Sequence, residues 1–315
     1  MKSKQPELVL APIRGITDCH FRSLFQRHFP GFDSALAPFI NPQRHSQFNT
    51  GQLKDILPVA NLELPVTPQF LHTNPEDFLF LAGRLQELGY REVNWNLGCP
   101  APMVTKKQRG SGLLPFPEKI FDFLDQVLPK LTQLGIRLSI KTRLGYENRQ
   151  ELLDLLPRLD QYPLAEIIIH GRLGSQMYKG EVDRDAFGHC LECTQHFIVY
   201  NGDITSKEVF DTLQQQFPKV DKWMIGRGAL ANPFLPAEIK GKEISGQRQQ
   251  LQLFHDELYT CYADLLDGPA HLLGRMKQLW IYLSAFFPPE HKTWKLIKKC
   301  KTESSYQEII KRLFD

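Results

Sequence analysis

Glu92-Val93-Asn94-Trp95-Asn96-Leu97-Gly98-Cys99-Pro100 is an extended run that stops in a sharp turn. Pro100 fixes its own φ and pushes Cys99 toward extended geometry, and Gly98 lets the chain bend just before it. A cysteine at a rigid strand end is placed for chemistry; the competing reading is a buried thiol packed as a small hydrophobe. Working outward, Phe78, Leu81 and Leu85 form a helical stripe before this run, and Ile120, Phe123, Leu124, Val127 and Leu131 form another after it. A strand between two helices is a βα unit, and the pattern recurs. The other apolar runs are Leu8–Pro12, Ser34–Pro38, Thr67–Leu71, Arg137–Lys141, Glu166–His170, Phe197–Asn201 and Lys222–Gly226. Eight such units predict an α/β fold, a closed (β/α)8 TIM barrel. An open doubly wound sheet is the alternative, but no Gly-x-Gly-x-x-Gly turn follows the first strand.

The pattern changes after residue 240. Leu251, Phe254, Leu258, Tyr262 and Leu265 lie at helical spacing, and Gly268-Pro269 ends that helix. Leu272, Leu273, Met276, Leu279, Trp280 and Leu283 make a second stripe; Trp294 and Ile297 fall in a third helix, and Tyr306, Ile309, Ile310 and Leu313 in a fourth. The expected organisation is a catalytic barrel over 1–240 and an all-α four-helix bundle over 241–315. Hydrophobic content of 42% and charged content of 23% are those of a globular protein, and a net charge of +3 does not by itself mark a nucleic-acid partner. Met1 to Glu7 lack the apolar core of a signal peptide, no apolar run is long enough to span a bilayer, and six cysteines do not make a disulfide framework. A cytoplasmic monomer without a membrane partner is expected.

Active sites of such barrels lie at the C-terminal strand ends. Here those ends are Pro12, Pro38, Gln69, Asn96, Lys141, His170, Asn201 and Gly226. A purely structural barrel has no need of amides, a cation and an imidazole at successive rims. Asn201-Gly202-Asp203 and Gly226-Arg227-Gly228 occupy the corner where barrels hold phosphate. Lys106-Lys107-Gln108-Arg109-Gly110-Ser111-Gly112, beyond Cys99, is read as a mobile lid that meets an anion, against a plain solvated loop. His189, Cys190, Cys193 and His196 have spacing compatible with zinc but fall on a barrel helix away from the rim, so no metal is expected.

In order, Leu10-Ala11-Pro12-Ile13-Arg14-Gly15-Ile16-Thr17-Asp18, Gln69, Asn96-Leu97-Gly98-Cys99-Pro100, Lys141-Thr142-Arg143, His170-Gly171-Arg172, Asn201-Gly202-Asp203 and Met224-Ile225-Gly226-Arg227-Gly228 cover the whole barrel. With Arg275-Met276-Lys277-Gln278-Leu279-Trp280, this set resembles the tRNA-dihydrouridine synthases, most closely the subclass that modifies position 16 of the D-loop. Ala37-Pro38-Phe39-Ile40-Asn41 departs from that subclass by lacking a charged residue. The resemblance implies FMN at the barrel mouth, with Pro12, Ile13, Arg14, Gln69 and Lys141 at the ring. It places His170, Asn201, Gly202, Asp203, Gly226 and Arg227 at ribityl and phosphate, and NADPH as electron donor. It also implies that Cys99 gives a proton to C5 of uracil while hydride arrives at C6. Asn96, Arg143 and Tyr178 would meet the target base, and Arg275 and Lys277 would face tRNA. Residues 291–315 carry seven Lys or Arg against three Asp or Glu, as phosphate binding would need. The alternative is an FMN-dependent small-molecule pyrimidine oxidoreductase of the dihydroorotate dehydrogenase type, which would not need the helical domain or its lysines.

Overall fold

The computed structural model describes residues 5–40 and 50–315. The first four residues of the polar N-terminus, and Asn41 of the second-strand loop, lie outside them. The sheet consists of β1 (Glu7–Leu10), β2 (Ser34–Leu36), β3 (Val66–Thr67), β4 (Gln69–Phe70), β5 (Glu92–Leu97), β6 (Arg137–Gly145), β7 (Leu164–Leu173), β8 (Ile198–Asn201) and β9 (Lys222–Ile225). All pairs are parallel, in the spatial order β3-β2-β1-β9-β8-β7-β6-β5-β4. The expected third strand, Thr67–Leu71, is split in two at Pro68. Proline has no N–H to give to a ladder, so β3 pairs with β2 while β4 pairs with β5. Nine segments thus fill eight barrel positions. Residues Ile40 and Phe70 add a bridge beside the seam.

Two strands outrun their expected ends. β6 continues beyond Lys141 to Gly145, and β7 beyond His170 to Leu173, with Arg143 paired to His170 and Gly145 to Leu173. This extension is buried up to Leu173, which is half-buried, and the Arg143 guanidinium donates to the Leu173 carbonyl at 2.7 Å, so the ladder persists above the rim. Lys141 and His170 therefore stand inside strands, not at their last residues.

The barrel helices are α1 (Cys19–His28), α2 (Thr50–Asp55), α3 (Pro75–Glu87), α4 (Pro102–Thr105), α5 (Pro117–Gln133), α6 (Gln150–Leu159), α7 (Arg184–Glu192), α8 (Lys207–Gln216), α9 (Arg227–Ala231) and α10 (Leu235–Ile239). The stripes on α3 and α5 cover β4 and β5: Trp95 stacks on Phe123 at 4.2 Å, and Phe78 meets Phe70 and Phe123 edge-on.

The four later helices are α11 (Gln247–Leu265), α12 (Pro269–Leu283), α13 (Thr293–Lys299) and α14 (Glu303–Phe314). Their core contains a polar hub, where Trp280 Nε1 donates to the Tyr306 hydroxyl at 2.8 Å and His255 Nε2 lies 2.7 Å from the same oxygen. One hydrophobic cluster runs without a break from Leu8 in the barrel to Phe314. The β1–α1 loop is clamped at this junction. Asp18 accepts from Tyr262 at 2.9 Å and from Arg275 at 2.8 Å, and Arg275 also donates to the Gly15 carbonyl. Among the described residues no helix is long and apolar enough to cross a membrane.

Candidate active site at the barrel mouth

A cavity of about 380 Å3 opens at the C-terminal ends of the strands, within the usual range for a small-molecule site. Pro12, Ile13, Arg14, Gln69, Asn96, Cys99, Lys141, His170, Tyr178, Asn201, Gly202, Gly226 and Arg227 all line it. Successive βα units bring these residues together because each expected rim position belongs to one strand or the loop after it.

Cys99 owes its position to three residues that hold its turn. Its own N–H and that of Gly98 donate to Asn96 Oδ1 at 2.8 and 3.0 Å. Arg143 Nε donates to the Gly98 carbonyl at 2.9 Å, and Ser111 donates to the Cys99 carbonyl through N–H and hydroxyl. Burial pushes the thiol up from its ordinary range, and this outweighs the Ala101 N–H and then Arg143, Arg14 and Lys141, which favour the thiolate. Cys99 is therefore a protonated thiol at neutral pH.

Of the segment expected as a mobile lid, Lys106 and Lys107 are exposed, but the Gly110-Ser111-Gly112 end is packed. Gly110–Leu113 forms a short 3-10 turn whose four residues are buried, because the glycines let it press against Cys99 and α4. Gly110 has φ +56°, and a Cβ there would lie 2.5 Å from the Cys99 carbonyl oxygen. Gly110→Ala should cost about 1–3 kcal/mol in stability and lower turnover with it. A urea unfolding midpoint equal to that of the parent would show that this loop can give way.

The strands next to Cys99 supply cationic groups. Lys141 Nζ donates to Asn201 Oδ1 at 2.8 Å, and Asn201 in turn donates to the Met224 carbonyl. Burial, then the charge of Arg143, hold the Lys141 ammonium down to about 7. Burial and the same cations keep His170 well below its ordinary range. Among the described residues that line the cavity there is no carboxylate. The nearby Asp203 is consumed by Arg172 and by Arg227, the latter at 2.7 Å. Burial disfavours its ionised form, yet the two guanidiniums hold its pKa below the carboxylate range.

Arg143, Arg275 and Lys277 stand away from the cavity wall, whereas Tyr178 lines it at the solvent edge. Arg143 is buried and spends its guanidinium on Gly98 and Leu173. Tyr178 is 56% exposed, with the Arg143 and Arg227 guanidiniums each 5.3 Å from its ring centroid. Arg275 sits in the Asp18 clamp, and Lys277 Nζ donates to the carbonyls of Lys298 and Cys300 at the end of α13. Cys190 is buried and His196 bonds the Leu159 carbonyl; among the described residues no group of three or more His, Cys, Asp or Glu is arranged to hold a metal.

Two residues at the site were given no role from sequence although their contacts matter there, Arg172 (quoted only within its motif) and Tyr282. Arg172 was legible in principle, since it shares a strand face with His170 two residues earlier. Tyr282, at the end of α12, enters the cavity wall from the helical region and carried no local signal.

The profile of the family described as Dihydrouridine synthase (Dus) matches residues 9–313. The chain belongs to the dihydrouridine synthase family. It is 31% identical over 229 residues to tRNA-dihydrouridine synthase B of Pasteurella multocida (strain Pm70), covering 72% of this chain and 67% of that protein. It is 27% identical over 288 residues to the probable tRNA-dihydrouridine synthase 2 of Bacillus subtilis (strain 168), covering 90% and 86%. Among solved structures it resembles morphinone reductase in complex with tetrahydroNAD (TM-score 0.54, 11% identity, 76% of this chain and 88% of that one). It also resembles histamine dehydrogenase from Rhizobium sp. 4-9 (TM-score 0.58, 11% identity, 81% and 48%). These likenesses show a shared barrel fold.

As a dihydrouridine synthase the chain is a flavin-dependent oxidoreductase. The mouth of this synthase fits such a cofactor on its own terms. Lys141, His170 and Arg143 are all pushed toward their neutral forms, so an anion entering the cavity relieves them. Pro12, Ile13, Pro38 and Phe39 give an apolar wall for a ring. Among the described residues the backbone N–H groups of Gly226 and Arg227 have no acceptor, at the corner where Arg227 and Arg172 converge.

Proposed function

We propose that this dihydrouridine synthase reduces the C5–C6 bond of a D-loop uridine in tRNA, at position 16, with FMN as its flavin, NADPH as electron donor and Cys99 as proton donor. The observation that carries the reading is a protonated Cys99 thiol on the wall of a cavity that Lys141, on the neighbouring strand, also lines. The names of the relatives support tRNA as the substrate.

When bound, reduced FMN supplies the hydride that adds to C6 of uracil. The Cys99 thiol gives its proton to C5, which completes a two-electron saturation of the double bond. Arg143, Arg14 and Lys141 stabilise the thiolate that is left until solvent reprotonates it. With flavin bound, Lys141 would supply a cation to the ring's negative edge, and Gln69, which lines the cavity beside its bond to Asn94, would hydrogen-bond the ring. His170, Asn201, Gly202, Gly226 and Arg227 would hold ribityl and phosphate, with Asp203 aligning the guanidiniums of Arg172 and Arg227. Asn96 and Arg143 act through the Cys99 turn they hold. Tyr178 offers its exposed ring to a base turned out of the RNA.

Residues 241–315 form the part that grips tRNA. Lys292, Lys295, Lys298, Lys299 and Lys301 are all exposed. Arg275 and Lys277 contribute by fixing the β1–α1 loop and the end of α13 beneath that surface. The synthase works as a cytosolic monomer. In the test, purified protein is mixed with NADPH and an unmodified tRNA transcript, and dihydrouridine is mapped. The expected product is dihydrouridine at position 16. Modification elsewhere in the D-loop would refute the position alone. Reduction of a free pyrimidine with none in tRNA would favour the small-molecule reading.

A further inference from the structure

A chain of hydrogen bonds runs from inside the barrel to Cys99. Ser139 Oγ donates to the Val93 carbonyl at 3.4 Å, and Asn94 Nδ2 donates to Ser139 Oγ at 3.0 Å. Gln69 Nε2 donates to Asn94 Oδ1 at 2.8 Å, and Asn96 Nδ2 donates to Gln69 Oε1 at 2.7 Å. The chain ends on Asn96 Oδ1, which accepts from Gly98 and Cys99. All four side chains are buried, with Asn94 at 0% and Ser139 at 1% exposure. Neither Asn94 nor Ser139 lines the cavity.

The Cys99 end has a fixed polarity, and at the other end the Val93 carbonyl favours the same sense through the rotatable Ser139 hydroxyl. A backbone carbonyl can only accept, and backbone N–H groups can only donate. The three amides between them therefore take a single orientation, since turning any one would set NH2 against NH2 or oxygen against oxygen in a buried place. We propose that Asn94 and Ser139 are positioning residues for the Cys99 acid: they set the orientation of Gln69 and Asn96, and through Asn96 the backbone that carries the thiol. The catalytic half of this proposal rests on Cys99 being the acid; the hydrogen-bond half does not.

The relay needs an acceptor at position 94, not a particular shape. Asn94→Asp keeps an oxygen for Gln69 Nε2, and the Ser139 hydroxyl can swing from its long bond to Val93 to meet the second oxygen. Asn94→Leu keeps the volume and removes the acceptor. A purely packing role predicts the reverse order, because leucine is tolerated in a dry interior better than a carboxylate. The readouts are the rate of Cys99 alkylation by iodoacetamide, followed by peptide mass spectrometry, and single-turnover reduction of tRNA uridine. Asn94→Leu should alkylate several-fold faster at Cys99 and turn over about tenfold slower or worse. Asn94→Asp should stay within about threefold of the parent in both, and Ser139→Ala should move both in the leucine direction by less.

Equal behaviour of the leucine variant and the parent overturns the relay. So does equal damage from leucine and aspartate. If Asn94→Leu fails to fold, parental alkylation in Ser139→Ala overturns it instead. Full activity in Cys99→Ala would refute the acid while leaving the alkylation contrast to judge the hydrogen bonds.

Discussion

Cys99→Ala is expected to bind flavin as the parent does and to reduce tRNA uridine ~10²–10⁴-fold more slowly, the usual span for loss of a positioned acid. Among the described residues the sulfur meets only the Ala101 N–H of its own loop, and the turn is fixed by backbone bonds to Asn96, Arg143 and Ser111. Alanine therefore removes the proton and leaves the cavity. The pH profile gives the sign of the argument. An acid works only while protonated, and burial raises this thiol above its ordinary value. Single-turnover rates of the parent should stay level through neutral pH and fall only above the free-cysteine value of about 8.5. Alanine should lack that alkaline fall. A parental profile that instead rises as the thiol ionises would make Cys99 a nucleophile and end the acid assignment.

The second large effect belongs to Lys141. Its ammonium is held down to about 7 by burial and then by Arg143, against an ordinary value of 10.5. Between those values the unfolded chain binds a proton that the folded protein lacks, so this group makes stability rise with pH across that window. Lys141→Met should remove that rise, seen as a loss of the difference between unfolding midpoints at pH 7 and pH 9. An anionic flavin in the cavity favours the charged lysine. Binding near pH 8.5 should then take up about one proton, measurable by calorimetry in buffers of different ionisation enthalpy. The methionine variant should take up none and bind much more weakly. Equal proton uptake by parent and variant would show that Lys141 does not face the negative ring edge.

Most of the mouth was readable as spacing. A residue at the end of a barrel strand has one place to be, so Gln69, Asn96, Lys141, His170, Asn201 and Gly226 could be assigned to one rim before any contact was known. Arg143 illustrates what spacing omits. Its position was legible, but its use was not, because its partners are the carbonyls of Gly98 and Leu173, which other units supply. The glycine end of the supposed lid was misread for the same reason. Glycines in Gly110-Ser111-Gly112 read as flexibility, whereas their lack of a side chain is what lets the turn pack against Cys99.

The order of strands and helices, the rim residues and the cysteine at its turn follow from local rules: apolar periodicity, proline and glycine geometry, and the single exit that a βα unit offers. Tertiary packing alone decided the split at Pro68, the extension of β6 and β7 and the entry of Tyr282. It alone also set the polarity of the amide chain beneath Cys99. Each of these depends on which donor meets which acceptor, or which side chain fills which gap, between segments far apart in the chain.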